Sequence, residues 1–398
     1  EVAVVGERVG DVLGGHLQNT TRSGASRWLC NVRAETKATI EGVPVLPDIR
    51  FCTATDGTKL AVGTYGIGPP LVRAGTWLTH VEYDATSSQS AHWCEELARR
   101  HRYVVYDSRG CGLSDREVSE LSLDVFVSDL EAVVDGLGLE RFPLFGMSMG
   151  APVAVAYAVK HPERVSRLVL HGGFYRSYIS SNHPDPRVLE EADILVKSAR
   201  LGWGTGSPAL RQVFAAKFMG ESTEAQRQAF DERQRVTSTA EMAERYLRAM
   251  FALDVKDLAP HVTCPTIAFH SRDDQLIFFD QGRKLAALIP GARFVPLDSK
   301  NHVPFREEPA WQTVVAGLRP FLDDDAGPRA HAPVKELTAR QLDVLRGIAR
   351  GLTDKEIAGE LSLSPRTVEM HVSRALAALE SANRAEAVRR AAALGLLD

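Results

Sequence analysis

Residues 146–150 of this 398-residue chain read Gly-Met-Ser-Met-Gly, a G-x-S-x-G pentapeptide that can set Ser148 on a sharp turn between a strand and a helix. A serine hydroxyl is a poor nucleophile at neutral pH, so it needs a base, and the base needs a third group to orient it. Two downstream loops carry suitable side chains. Ser271-Arg272-Asp273-Asp274 follows the apolar run Pro265 to His270, and Asp298-Ser299-Lys300-Asn301-His302 follows Arg293 to Leu297. The order serine, acid, histidine, each after a strand-like run, is the order in which such partners follow an elbow serine. That constellation predicts acyl transfer by covalent catalysis. Cys111 has no base beside it in sequence and is expected to pack rather than react. Gly110-x-Gly112-x-x-Asp115 lacks the third glycine of a dinucleotide loop, and no G-x-x-x-x-G-K-[ST] occurs. His and Cys do not cluster at metal-ligand spacing, so neither cofactor nor metal is expected.

The segments that must position these groups alternate in character. Asp56-Gly57 sits between two strand-like runs in Phe51 to Tyr65, a hairpin signal. Leu71 to Ala74, Tyr103 to Tyr106, Phe142 to Phe145, Arg167 to Leu170, Thr266 to Phe269 and Arg293 to Leu297 are further short strand candidates. Helical stretches lie between them, such as Leu123 to Val134, closed by Gly136, and Ala151 to Lys160, closed by His161-Pro162. Strand and helix in alternation predict an α/β fold, a parallel sheet with helices on both faces. Gly146, Gly150, Ala151 and Ala154 keep the strand-to-helix turn around Ser148 free of bulk.

The alternation lapses over 174–258, where helical patterns such as Ala225 to Val236 and Ala240 to Leu253 predict an inserted helical lid above the strand ends. Residues 1–45 lack clear periodicity and read as an ill-defined N-terminal extension. Residues 323–334, DDDAGPRAHAPV, are charged, Pro/Gly-bearing and poor in apolar side chains, the composition of a linker. The main domain is thus expected over 46–322 and a small all-helical one over 335–398.

That second domain has three marked helix starts. Thr338 to Gln341 and Thr353 to Glu356 are capping boxes, and Ser364-Pro365 pairs a cap with proline at the first helical position. Leu342, Leu345 and Ile348 form one apolar stripe, Ile357, Ala358 and Leu361 a second, and Val368, Val372, Leu376 and Leu379 a third. Only Ser362-Leu363-Ser364 separates the second and third helices, which makes a helix-turn-helix.

Composition agrees with a soluble globular protein: 44% hydrophobic, 25% charged, formal net charge −4. No apolar run approaches the ~18 residues that span a bilayer, and the first residues do not look like a secretory signal. Five scattered cysteines, odd in number, predict reduced thiols and a cytoplasmic location. From Lys335 onward there are ten Lys/Arg and nine Asp/Glu, so the tail is not strongly basic.

On these motifs, residues 46–322 resemble the α/β-hydrolase family. Tyr106 to Asp115 resembles its D-x-R-G-x-G-x-S loop, Ser271 to Asp274 its G-x-x-D, and Asn301-His302 its histidine loop. The resemblance implies a doubly wound sheet with a helical lid and a Ser148, His302, Asp274 triad. It implies an oxyanion hole from the backbone N–H groups of Met149 and, by position, Trp77. The chain departs from the family there, because Arg73-Ala74-Gly75-Thr76-Trp77 stands where His-Gly is usual.

The last 62 residues resemble the LuxR/NarL family of helix-turn-helix DNA-binding domains. By that resemblance the third helix enters the major groove of double-stranded DNA. Glu369, Met370 and Ser373 would face base edges, with Lys355, Arg366, Thr367 and Arg374 on phosphates. Ala378 stands where lysine is usual and Glu380 where glycine is usual, which implies weak phosphate attraction per subunit and a homodimer. The whole chain then reads as a transcriptional regulator whose hydrolase domain binds and hydrolyses a small acyl ligand, an ester, lactone or thioester. Trp77 and Trp203 point to a hydrophobic acyl group. The alternatives are a cytoplasmic serine hydrolase with an accessory helical tail, and a receptor that keeps the triad without turnover.

Overall fold

The structure, a computed structural model, describes residues 39–40, 43–44, 46–177, 179, 185–203, 208–323 and 337–378, with isolated positions beyond. Most of 1–45 and nearly all of 323–334 lie outside the described residues. A two-residue ladder pairs Thr39–Ile40 with Val43–Pro44.

The expected α/β fold is present as one eight-stranded sheet. Its strands are β1 (Asp48–Thr53), β2 (Lys59–Tyr65), β3 (Pro70–Arg73), β4 (Arg102–Tyr106), β5 (Phe142–Met147), β6 (Val165–His171), β7 (Thr266–Ser271) and β8 (Arg293–Leu297). The spatial order is β8-β7-β6-β5-β3-β4-β2-β1. β1 and β2 form the antiparallel hairpin predicted at Asp56-Gly57, where Gly57 takes φ +90°. The pairs from β4 to β8 are all parallel. Parallel strands are covered on both faces, which is why these read as near-continuous apolar runs.

The helices of the α/β layers are α1 (Ala91–Ala98), α2 (Leu123–Gly136) and α3 (Gly150–Lys160), with α8 (Phe279–Leu288) and α9 (Pro309–Asp323) later in the chain. In β6, Leu168 and Leu170 join the core on one face while Val169 joins the other with Trp93 and Trp311. One stop signal was misplaced. Gly136 lies inside α2, and it is Gly138, at φ +63°, that turns the chain away, with Leu139 N–H donating to Val134 O at 2.9 Å. A left-handed residue past the last turn is what a helix end most often uses.

Between β6 and β7 come α4 (Pro186–Gly202), α5 (Pro208–Phe218), α6 (Glu224–Thr237) and α7 (Ala240–Ala252). α6 opens on a capping box of Thr223 and Gln226. These helices bury Trp203, Phe214, Phe230 and Tyr246 against the main core.

The C-terminal elements are α10 (Ala339–Ala349), α11 (Asp354–Leu361) and α12 (Pro365–Ala378). Both capping boxes form, and Thr367 N–H donates to Ser364 Oγ at 3.1 Å. Ser362 closes α11 in the left-handed region at φ +54°. The stripe on α10 is corrected: Val344 is buried with Ile357, Val368 and Val372, while Leu345 faces Ala375, and Leu342 is only half-buried. Gly347 lets Ile357 in, since a Cβ there would sit 2.7 Å from Ile357 Cγ1. Leu379 and Glu380 lie outside the described residues.

Candidate functional site

Ser148 sits between β5 and α3 with φ +52°, one of three non-glycine residues in the left-handed region among those described. That conformation costs an L-residue roughly 1–2 kcal/mol. The turn closes only because nothing bulky stands at its neck. A Cβ on Gly146 would lie 2.7 Å from Ala151 Cα, and one on Gly150 would lie 3.1 Å from the carbonyl oxygens of Ala74 and Gly75.

The predicted acid and base meet. His302 Nδ1–H donates to Asp274 Oδ2 at 2.6 Å, and both side chains are fully buried. The other oxygen, Oδ1, accepts from Leu276 N–H at 2.9 Å and Ile277 N–H at 3.0 Å. A second imidazole, His270, approaches Oδ2 to 3.5 Å and donates to Ile277 O at 2.7 Å. Burial pushes the Asp274 carboxyl up, but the charge and hydrogen bond of His302, then His270, outweigh it and hold the carboxyl below its ordinary range. Asp273, the other candidate acid, is exposed. His302 Nε2 has no hydrogen-bond partner among the described residues, so the link to Ser148 Oγ is open.

Backbone geometry ties serine and histidine to the end of one strand. Ser148 N–H donates to the carbonyl of His171, the last residue of β6, at 2.8 Å. The His171 ring then donates from Nε2 to the His302 carbonyl at 3.1 Å. Burial, then the charge of His302, lowers His171 to about 3, so it is neutral at pH 7. The next residue, Gly172, has φ +57°, and a Cβ there would fall 2.7 Å from His302 Cε1. On the other side, His302 N–H donates to Phe218 O at 3.0 Å, and the Phe218 ring meets the imidazole edge-on at 5.1 Å. The end of α5 thus braces the histidine loop. His171, Gly172 and Phe218 were not foreseen. The Gly172-Gly173 pair after a strand was the available signal.

The turn after β3 carries free amides. Neither Trp77 N–H nor Met149 N–H donates to an acceptor among the described residues, and Thr76 N–H is free as well. Thr76 was not among the predicted donors. Leu78, beside Trp77, has φ +67°, and its carbonyl accepts from Arg233 Nη1 at 3.0 Å. Gly75 N–H donates to Tyr106 Oη at 2.8 Å. The Trp77 ring stacks on Trp203 at 4.9 Å and tilts against Phe214 at 5.1 Å, so the insertion packs directly on this turn.

Beside these groups lies a cavity of about 60 Å³ whose lining includes Trp77, Ser148, Met149, Phe214, Phe218 and Arg233. Arg73 also lines it, paired with the buried Asp84 at 3.0 Å. A second cavity of about 100 Å³ shares Met250 and Leu276 with it and is lined by Phe174, Leu195, Phe251 and Ile277. The loop after β4 is structural: Arg109 grips Asp129 through two hydrogen bonds of 2.8 and 2.6 Å and reaches Asp56 at 2.6 Å. Cys111 packs as expected, buried with its thiol pushed up to about 12 by burial.

Residues 84–309, more than half of the chain, match the alpha/beta hydrolase fold. The chain belongs to that family. Residues 335–391 match the luxR family of bacterial regulatory proteins, so a LuxR-type helix-turn-helix domain follows in the same chain. A 2-hydroxymuconate semialdehyde hydrolase of Pseudomonas sp. strain CF600 is 30% identical over 217 residues, covering 50% of this chain and 69% of that protein. An esterase from Rhodococcus sp. ECU1013 aligns with TM-score 0.55 and 25% identity over 69% of this chain and 98% of its own. An esterase from Exiguobacterium antarcticum aligns with TM-score 0.59 and 24% identity, again over 69% and 98%. The hydrolase domain of this chain is therefore of the kind that esterases and hydrolases use.

In the LuxR-type domain, Arg366, Glu369, Met370, Ser373 and Arg374 are exposed on the face of α12 opposite the buried Val368, Val372 and Ala375. Lys355 is exposed on the first turn of α11. Thr367 is half-buried, and its hydroxyl is hydrogen-bonded to Ser364 Oγ at 2.7 Å. No helix among the described residues is long and apolar enough to cross a membrane.

Proposed function

We propose that this chain is a helix-turn-helix transcriptional regulator whose hydrolase domain takes up a small acyl ligand and cleaves an ester-type bond in it. The observation that carries the reading is the buried 2.6 Å Asp274–His302 hydrogen bond at the strand ends where Ser148 is held at φ +52°. Ser148 Oγ attacks the carbonyl carbon while His302 Nε2, the open ring nitrogen, takes its proton. Asp274 holds the imidazolium that results. The amides of Met149 and Trp77, with Thr76 beside them, receive the oxyanion. His302 passes the proton to the leaving oxygen as the C–O bond breaks, and water, deprotonated by His302, then releases the acid from the acyl-serine.

In this reading the hydrolase domain is 46–322, with residues 174–258 as its lid, 1–45 as an extension and 323–334 as linker. Residues 335–398 bind double-stranded DNA as a homodimer in the cytoplasm, with Lys355, Arg366, Thr367 and Arg374 on phosphates and Glu369, Met370 and Ser373 at base edges. The hydrolase name of one similar protein supports hydrolysis, and the esterase name of another supports ester-type chemistry.

One set of assays separates the two halves. Wild type is expected to take a fluorophosphonate label at Ser148, to cleave p-nitrophenyl butyrate and to shift DNA from its own promoter. Ser148→Ala should lose label and cleavage but keep the shift, and Arg366→Ala should keep label and cleavage but weaken the shift. An unlabelled wild type would remove the enzyme reading. A labelled wild type that never shifts DNA would leave a serine hydrolase with an accessory tail.

A further inference from the structure

The cavity beside Ser148 carries buried charge that the serine chemistry does not use. Arg73 Nη2 lies 3.0 Å from Asp84 Oδ2, and Arg233 Nη2 lies 3.0 Å from Asp84 Oδ1. All three side chains are at most a tenth exposed, and both arginines line the cavity. Two guanidinium groups share one carboxylate, which leaves a net positive charge out of water. The nearby carboxyl of Asp107 does not offset it, because burial raises that group to about 8 and keeps it largely protonated at pH 7. A buried charge without a partner is costly, and a ligand that supplies the missing anion gains what the fold leaves uncompensated.

The open hydrogen-bonding groups around the cavity point the same way. Arg233 donates from Nη1 to Leu78 O and from Nη2 to Ser90 Oγ, but its Nε–H is buried without an acceptor among the described residues. Trp77 Nε1–H and Trp93 Nε1–H, on the same lining, are likewise buried without acceptors. Gln89 Oε1 is the one buried side-chain acceptor without a partner in that lining among the described residues. Three donors and a positive charge against one acceptor select an acceptor-rich anion. At about 60 Å³ the space holds several water-sized groups, enough for a carboxylate on a short stem.

We propose that this cavity is a carboxylate subsite, with Arg233 and the Trp77 indole N–H as its donors. The substrate class is then an ester that also bears a free carboxylate, held so that its acyl carbon lies by Ser148. This substrate class rests on the serine-hydrolase reading above, whereas the subsite itself can be tested without turnover. Arg233 also explains why the Leu78 carbonyl is held at φ +67°: the residue that would bind the carboxylate fixes the turn that carries the Trp77 and Thr76 amides.

The test uses the full-length chain carrying Ser148→Ala, so that cleavage plays no part, and follows tryptophan fluorescence, since Trp77 and Trp93 line the cavity. Monomethyl glutarate and its uncharged counterpart, dimethyl glutarate, are titrated side by side. The anion is expected to bind at least tenfold more tightly. Arg233→Met should abolish that preference, and Trp77→Phe, which keeps the ring packing but removes the N–H, should cut it severalfold. If Arg233→Met fails to fold, judged by its urea unfolding curve, Trp77→Phe alone decides. Equal affinity for the two esters, or a preference that survives in every folded variant, would overturn the subsite. In the catalytically intact chain, mono-p-nitrophenyl glutarate should exceed p-nitrophenyl butyrate in kcat/KM by a similar factor. Carboxylate binding without any turnover would retain the subsite and overturn only the hydrolase reading.

Discussion

Asp274 shows how much one side chain is asked to do. Its two oxygens accept from His302 and from the amides of Leu276 and Ile277, so its orientation is fixed on both sides. The hydrogen bond to Nδ1 selects the His302 tautomer whose Nε2 is open for a proton. Asp274→Asn keeps the shape but can present an amide N–H to Nδ1, which favours the wrong tautomer. We expect kcat for p-nitrophenyl butyrate to fall by about 10⁴ with KM changed only a few-fold, as for comparable triads. The double variant Ser148→Ala, Asp274→Asn should be no slower than Ser148→Ala alone, because groups acting as a unit do not add. Additive losses in the double variant would mean that Asp274 acts apart from the serine.

The strand end of β6 is the element on which the proposed chemistry depends. His171 receives the Ser148 amide through its carbonyl and holds the His302 carbonyl through its ring, and Gly172 makes space for the imidazole. Gly172→Ala therefore brings two penalties, a left-handed alanine and a methyl 2.7 Å from His302 Cε1. Gly138→Ala, at φ +63° with nothing within 4 Å, brings only the first. Gly138→Ala should lower stability by about 1–2 kcal/mol in urea unfolding, and Gly172→Ala by more. Only Gly172→Ala should also lose activity, by about 100-fold for a displacement near 1 Å. Equal activities would show that the imbalance at His302 is absorbed elsewhere. The strands and the elbow were legible because buried parallel strands impose apolar runs and the elbow demands small residues at fixed offsets. The placement of Asp274 and His302 followed from loop order. Contacts made across the sheet leave no periodic trace, so the pairing of Asp84 with Arg73 and Arg233, the role of His171 and the positive φ of Leu78 were not readable. The α10 stripe failed for a related reason: a helix packed between two neighbours buries Val344 and Leu345 on adjoining faces, which a single i, i+3 stripe does not describe.

At the scale of the whole molecule, buried histidines weaken the hydrolase domain as pH falls. Burial lowers His92 and His171 to about 3, whereas an unfolded histidine takes its proton near 6.5. Between those values the unfolded chain binds more protons, so stability must fall as pH falls. At pH 5 each of the two should have cost about 2 kcal/mol, about 4 together, a large part of the 5–15 kcal/mol typical of a fold. The buried Asp107 carboxyl, raised to about 8, works in the opposite sense over the same range, so the loss is read in Asp107→Asn, whose urea midpoint should drop sharply between pH 7.5 and 5; an unchanged midpoint in that variant would refute buried neutral imidazoles. Among the described residues of the LuxR-type domain, few cations are free of an acidic partner. Asp343 lies within ion-pair distance of Arg340 and Arg346, Glu360 holds Arg350, and Asp354 holds Arg384, while Lys355, Arg366 and Arg374 are in no ion pair among the described residues. Three charged phosphate contacts per copy predict that log Kd for promoter DNA rises with log salt at a slope of about 3 for one copy and about 5 for a dimer. Arg366→Ala should lower the dimer slope by about 2, at every DNA sequence alike. A wild-type slope above about 8 would mean that DNA strips the committed arginines from Asp343, Asp354 and Glu360, and an Arg366→Ala slope equal to wild type would take Arg366 off the phosphate backbone.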